Sequence, residues 1–182
     1  MGQSILKRVL TGIALATLLV IVVGLFLPAT YHVQRTVVIA ADTVRIHELV
    51  DDLDRWPDWT PWLKADPSLE VTVGTITRGT GATQSWTGDS GGGALTFTSS
   101  DPEQGVTFDL SFDEGNSHHD CAIRYESVAG GTRVTWELIG DNGSNLLERY
   151  FGLVMDAFIG PMFEDGLATL KVIAERQTEP AV

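Results

Sequence analysis

Two adjacent histidines followed by an aspartate, His118-His119-Asp120, look most like metal ligands in this sequence. Neighbouring residues of a β-strand point to opposite faces, so adjacent histidines rarely bind one ion together. No third group of candidate ligands lies nearby in the sequence. We therefore expect these residues to form a solvated hairpin loop, and we predict no metal site and no cofactor.

A second candidate for chemistry is the pentapeptide Gly88-Asp89-Ser90-Gly91-Gly92, which matches the segment around the nucleophile of trypsin-like proteases. Those enzymes also need disulfides and a histidine in an upstream motif of its own, whereas this chain has the single cysteine Cys121 and no such motif. A triad is recognised by the geometry of its partners rather than by a pentapeptide. We expect a glycine-rich hairpin turn here and no catalytic residue.

Three carboxylates near the C-terminus, Asp156, Glu164 and Asp165, lie in a predicted helix. Asp156 has apolar neighbours, so it points either to solvent or to the mouth of a cavity, where desolvation would raise its pKa and make it an acid or base. Because unpaired buried carboxylates are rare, we expect the solvent position. The histidines His32 and His47 are also expected at the surface.

The N-terminal region contains 19 uncharged residues from Val9 to Leu27, close to the ~20 that cross a bilayer as a helix. Lys7 and Arg8 precede this segment, so the positive-inside rule predicts a cytoplasmic tail (1–8), a single transmembrane helix (9–27) and an extracytoplasmic domain (31–178). A cleaved signal peptide is the alternative. The apolar run is longer than a signal's hydrophobic core, and the residues after Leu27 form a poor cleavage site.

The rest of the chain is strongly acidic. All 24 acidic residues but only 10 of the 12 basic residues follow Leu27, which gives this part a net charge of −14. Such a surface repels nucleic acid, so we predict no nucleic-acid partner. The lone Cys121 excludes an intramolecular disulfide and is expected to be a small core residue.

Alternating apolar residues predict strands in the middle of the chain. A short helix capped by Asp42 or Thr43 is expected after the first strand, and three tryptophans, Trp56, Trp59 and Trp62, follow it. These indoles are expected in the core, on a cavity wall or in a belt at the bilayer surface. The predicted strands lie within 31–39, 70–76, 82–88, 93–99, 106–112, 121–128 and 132–139.

The C-terminal segment from Asn145 to Arg176 is predicted to be helical. An apolar stripe at helical spacing is formed by Leu147, Phe151, Val154 and Phe158. Gly160-Pro161 is expected to interrupt this helix, because proline removes a helical hydrogen bond, and to serve as a gate or a static kink.

The order strand, two short helices, six strands and long helix predicts an α+β fold in which a sheet wraps around the last helix. The segments 33–41, 56–62, 130–136 and 163–171 resemble the polyketide cyclase/dehydrase-like branch of the START-related (SRPBCC) superfamily. The resemblance covers residues 31–176 and implies a helix-grip fold with a deep apolar cavity. Members often carry Ser-Pro or Ala-Pro where this chain has Ala41-Asp42, and an aspartate N-cap serves the same end.

The predicted function is a membrane-anchored carrier or sensor of a hydrophobic, lipid-like or polycyclic small molecule, because the chain combines an anchor with this pattern and lacks a catalytic set. The alternatives are a cyclase/dehydratase-like enzyme acting in the same cavity and a tethered protein-interaction module. The ligand-binding residues expected from strand parity and from the last helix are Trp86, Phe97, Phe108, Tyr125, Trp136, Met155, Phe158 and Met162.

Overall fold

A computed structural model of the chain describes residues 2–112, 117–143 and 145–176. The N-terminal half contains α1 (Gly2–Phe26), β1 (Thr30–Ile39), α2 (Thr43–Val50), a 3-10 turn (Leu53–Arg55), α3 (Trp56–Trp59) and α4 (Trp62–Ala65). The strands that follow are β2 (Glu70–Val73), β3 (Thr83–Thr87), β4 (Gly93–Asp101), β5 (Gly105–Phe112), β6 (Ser117–Val128) and β7 (Gly131–Asp141). The last two helices are α5 (Leu146–Gly152) and α6 (Met155–Arg176).

The seven strands form one antiparallel sheet in the order β1-β7-β6-β5-β4-β3-β2. The first and last strands of the chain lie side by side, from Thr30 opposite Asp141 to Ile39 opposite Thr132. All other neighbours in the sheet are consecutive in sequence. The predicted α+β helix-grip fold, with about seven strands and a long C-terminal helix, is confirmed.

The alternation of apolar and polar residues gives the sheet one dry face and one wet face. In β5, Val106 and Phe108 are buried, whereas Asp109, which points to the other face, is exposed. The wet face carries cross-strand charge pairs, such as Arg124 Nε and Glu137 Oε1 at 3.2 Å. The dry face therefore is the surface on which the helices pack.

Helix α6 packs on the dry face near the β1 edge of the sheet. Its ring contact with the sheet is the stacking of Phe163 on Trp136, with centroids 4.3 Å apart and ring planes 7° from parallel. The helix residues that are buried by this packing include Phe163, Leu167, Leu170 and Ala174.

The expected break at Gly160-Pro161 is wrong, whereas a kink or a gate there stays a prediction. Helix α6 runs through both residues without a break, and the chain instead leaves its helical path at Leu153 and Val154, between α5 and α6. Gly160 serves packing, because a side chain there would overlap the guanidinium of Arg35, with a Cβ only 2.0 Å from its Nη2 atom.

The apolar stripe of Leu147, Phe151, Val154 and Phe158 is exposed rather than packed on the sheet. Leu147, Phe151 and Phe158 are each about two-thirds accessible, at 70%, 67% and 68%. Helical spacing predicted one shared side on a continuous helix, but Leu147 and Phe151 lie on α5, Val154 in the turn and Phe158 on α6, and spacing does not show which environment they meet.

The tryptophan cluster lies mainly in the core. Trp56 and Trp59 are buried, and their Nε1 atoms donate to the carbonyl oxygens of Val50 at 2.8 Å and Leu49 at 3.2 Å. Trp62 is only half-buried and meets Trp136 edge-on, with ring centroids 5.8 Å apart. The indoles thus connect the short helices to the centre of the sheet.

Helix α1 stands apart from this core. The segment Leu6–Phe26 is long and apolar enough to cross a membrane. A signal sequence can have the same length and composition. The helix touches the rest of the chain mainly through α5.

Candidate functional site

An apolar cavity of about 270 Å³ lies between the dry face of the sheet, α4 and the second and third turns of α6. Its walls are almost entirely hydrocarbon and aromatic ring. The apolar residues that line it are Trp56, Trp62, Ala65, Leu69, Val71, Trp86, Leu95, Phe108, Leu110, Phe112, Cys121, Trp136, Leu138, Ile159, Met162 and Phe163.

The cavity lies toward one end of the strands, the end at which β1 begins. At this end of the sheet Thr30 lies opposite Asp141, and Phe112, the last residue of β5, lies opposite Gly93 and Ser117. Helix α6 also begins toward this end, because Asp156 in its first turn pairs with Arg35 of β1. The cavity therefore lies in the half of the domain that is closer to α1.

Four of the eight residues predicted to bind the ligand lie on the cavity wall: Trp86, Phe108, Trp136 and Met162. The other four lie elsewhere. Phe97 is buried against Trp56 and Phe108, and Tyr125 is buried further along the sheet. Met155 is half-buried at the start of α6, and Phe158 is exposed on α6 and does not line the cavity.

Sequence reasoning missed several wall residues whose signal was present. Leu110 and Phe112 have the same strand parity as Phe108, so the pattern that found one contained all three. Ile159 precedes Met162 by three residues and Phe163 by four, so the three side chains lie on the same side of α6. Phe158, one position away, is turned by about 100° from that side.

The wall offers little for acid–base chemistry. Burial, with smaller effects from Asp120 and Asp109, raises the pKa of the Cys121 thiol well above its ordinary value, so this group is neutral. Gln84 is buried in the wall, and its Oε1 atom has no hydrogen-bond partner within the described residues. Asp66, the carboxylate that borders the cavity, is engaged by neighbouring serines.

A latch of hydrogen bonds closes one side of the cavity by joining the loop after α4 to the β3–β4 turn. Asp66 accepts from the Ser68 hydroxyl at 2.5 Å and the Ser68 backbone N–H at 2.9 Å. It also accepts from the hydroxyl and the backbone N–H of Ser90. The Asp89 backbone N–H donates to the Ser68 hydroxyl at 2.8 Å. These bonds, led by those from Ser68 and Ser90, lower the pKa of Asp66 to about 2.

The latch explains the protease-like pentapeptide. Ser90 lies in a turn between two strands, as expected, and its hydroxyl donates to Asp66 rather than to a histidine. The segment thus supplies the tight turn and one half of the latch.

The remaining candidates for chemistry lie outside the cavity. His118 and His119 lie in strand β6 and not in the expected hairpin loop; His118 is exposed, and His119 packs between Tyr31 and Phe112. Within the described residues, no group of three or more metal-ligating side chains converges. Asp156 is solvent-exposed, as expected, and its hydrogen bonds from Arg35 lower its pKa.

A buried polar cluster joins α2 to the sheet away from the cavity. His47, which was expected at the surface, is buried, and its Nε2 atom lies 3.2 Å from the Ser100 hydroxyl, which donates to Asp51. Desolvation lowers the pKa of His47 even though Asp51 opposes this shift, and burial raises the pKa of Tyr125 beside it. These groups hold α2 in place and do not face the cavity.

Comparison with known proteins agrees with this architecture. The model of the family described as polyketide cyclase/dehydrase and lipid transport matches residues 30–175, so the chain belongs to this family. No curated protein matches the sequence.

Solved structures share the fold at low sequence identity. A protein from Rhodobacter sphaeroides has a TM-score of 0.58 and 17% identity, with 82% of this chain and 94% of that chain covered. A protein of unknown function from Staphylococcus aureus has a TM-score of 0.58 and 11% identity, with 83% and 97% covered. DynU16, from the dynemicin biosynthetic locus, has a TM-score of 0.55 and 18% identity, with 80% and 48% covered.

The latch generates a prediction. In Ser90→Ala, Asp66 loses the hydroxyl that helps to hold it ionised, so its pKa should rise from about 2 toward the ordinary 3.8 in an NMR titration. The amides of residues 66–69 and 88–91 should also exchange faster, because a tie between the two loops is lost. The control is Ser85→Ala, at an exposed position of β3. An unchanged Asp66 pKa would contradict the latch.

Proposed function

We propose that the chain is a membrane-anchored binding protein, a carrier or sensor, for a hydrophobic small molecule that occupies the cavity. The observation that carries this proposal is the composition of the wall. Its lining is nearly continuous aromatic and aliphatic surface, and its polar side chains are the neutral Cys121 thiol, the Gln84 amide, and Asp66 with the Ser90 hydroxyl that donates to it. Ligand pockets are typically apolar and contain few polar groups.

The same wall makes a cyclase/dehydratase-like reaction the weaker proposal. Proton transfer needs a group of suitable pKa within hydrogen-bond reach of the substrate. The titratable groups at the wall are Cys121, whose pKa burial raises, and Asp66, whose pKa is lowered to about 2. Neither is tuned to exchange a proton near neutral pH.

The side chains that line the cavity indicate the charge and polarity of the ligand. Burying a charge without a partner is costly, and the wall has no cationic side chain. A neutral molecule rich in rings or methylene groups is therefore the proposed ligand. Several indoles and phenyl rings can stack on its faces or meet its edges.

The anchoring part of the proposal rests on α1. The segment Leu6–Phe26 is long and apolar enough to span a bilayer, and most of its side chains are exposed. Water would make such a surface unfavourable, whereas a bilayer would solvate it. We propose that Lys7 and Arg8 stay on the cytoplasmic side and that the domain lies on the other side.

The ligand proposal is tested with pyrene and the domain from residue 29 onward, because tryptophan emission transfers energy to bound pyrene. Leu110→Phe combined with Cys121→Leu adds side-chain volume inside the cavity. This variant should bind pyrene at least about tenfold more weakly, a loss of roughly 1.4 kcal/mol.

The matched control is Val38→Phe, which adds similar bulk at an exposed position of β1. It should bind pyrene like the unmodified domain. Equal affinity of the filled variant and the unmodified domain would show that pyrene binds elsewhere and would contradict the proposal.

The proposed topology is tested by fusing a reporter that is active only in the cytoplasm after residue 182. The fusion should be inactive, because the two cations before the helix favour retention of the N-terminus. Changing Lys7 and Arg8 to glutamine should allow some molecules to invert and should restore part of the signal. Full reporter activity in the unmodified chain would contradict the topology.

A further inference from the structure

We infer that the exposed stripe of Leu147, Phe151, Val154 and Phe158 lies in the surface of the bilayer beside α1. This inference rests on the proposed anchoring of the chain. It adds a second membrane contact, made by the domain itself.

The first support is the size and continuity of the exposed apolar surface. Val154 is 42% accessible, and the other three stripe residues are about two-thirds accessible. Leu153, between α5 and α6, adds a further large side chain at 60% accessible. So many large exposed apolar side chains within twelve residues indicate an interaction site.

The second support is the attachment of α5 to α1. The Tyr150 hydroxyl donates to the carbonyl oxygen of Val20 at 2.7 Å. The Tyr150 ring also lies on Gly24, where a Cβ atom would be 3.1 Å from the ring. Among the residues of α1 whose burial is described, Gly24 is the buried one. It thus provides the flat surface that α5 needs.

The attachment fixes the depth of the stripe. Val20 lies six residues before Phe26, the end of α1, so the Tyr150 hydroxyl lies about 9 Å along the helix from that end at 1.5 Å per residue. If α1 spans the bilayer, this point lies about 9 Å inside the end of the apolar segment, within the roughly 5–10 Å to which an interfacial helix buries its apolar side.

The polar residues of α5 are compatible with this position. Arg149 donates to the carbonyl oxygen of Gly143 at 2.8 Å and to those of Leu25 and Leu27 at 3.4 and 3.3 Å. It therefore satisfies carbonyl groups at the end of α1 that have no helical partner. Glu148 accepts a hydrogen bond from Asn145 at 2.5 Å. A helix with one apolar side and a satisfied polar side is suited to lie in the interface plane.

On α6, the proposed bilayer contact and the cavity wall are made by neighbouring residues. Phe158 of the stripe is followed directly by Ile159 of the cavity wall, so two sides of one helical turn, about 100° apart, would contact the bilayer and the cavity. A hydrophobic ligand would then move between bilayer and cavity along α6 with little exposure to water.

The test uses the full chain in phosphatidylcholine vesicles, with Cys121 changed to alanine and one nitroxide label per variant. Labels are placed at Phe151→Cys and Phe158→Cys in the stripe. Leu19→Cys in α1 reports on the anchor, and Val172→Cys, at an exposed position near the far end of α6, is the matched control. Power saturation with oxygen and with a water-soluble nickel chelate separates lipid from water.

Labels at 151 and 158 should respond to oxygen more than to nickel, as the label at 19 does, and the label at 172 should show the reverse. If 19 lies in lipid while 151 and 158 respond like 172, the inference fails and the anchor stands. If 19 itself responds to nickel, the anchor fails and the inference fails with it. Spin–spin broadening at 151 and 158 with protection from both reagents would show that a second copy covers the stripe, which also overturns the inference.

Discussion

The structure depends on the packing of one indole, Trp136, between the sheet and α6. This side chain stacks on Phe163 of the helix and contacts Trp56, Trp59 and Trp62 edge-on, with ring centroids 5.3 to 6.4 Å apart. Aromatic rings of this size keep the helix away from the sheet, since interiors pack at nearly fixed density. Beyond these rings, α6 and the sheet remain separated, and the cavity occupies the space between them.

The parts of the fold that local chemistry determines were predictable from the sequence. The alternation in β5 places Phe108 and Leu110 on one side of the strand, and Asp42 caps α2 by accepting from the Arg45 N–H at 2.8 Å, as expected. Three of the predicted residues that line the cavity, Trp86, Phe108 and Trp136, followed from strand parity. The position along each strand at which the cavity begins depends on α6 and α4, which strand parity does not describe.

The wrong expectations concern residues whose role is set by distant partners. Gly160 was interpreted as a weak point of a helix, but its missing side chain makes room for Arg35, 125 positions earlier in the sequence. The stripe that includes Phe151 was predicted as one side of a single helix, but the chain leaves the helix between α5 and α6, and the surroundings of α5 depend on α1. His47 was expected at the surface because nothing near it in sequence shows that Ser100 and Tyr125 cover it.

The central claim is that the cavity holds a hydrophobic molecule, and native mass spectrometry of the domain purified from its own cells tests it most directly. The account predicts one neutral, apolar molecule bound per domain, and its loss when Leu110→Phe and Cys121→Leu fill the cavity. A folded domain that is always recovered without a bound molecule, or that carries a highly charged one, would contradict the account.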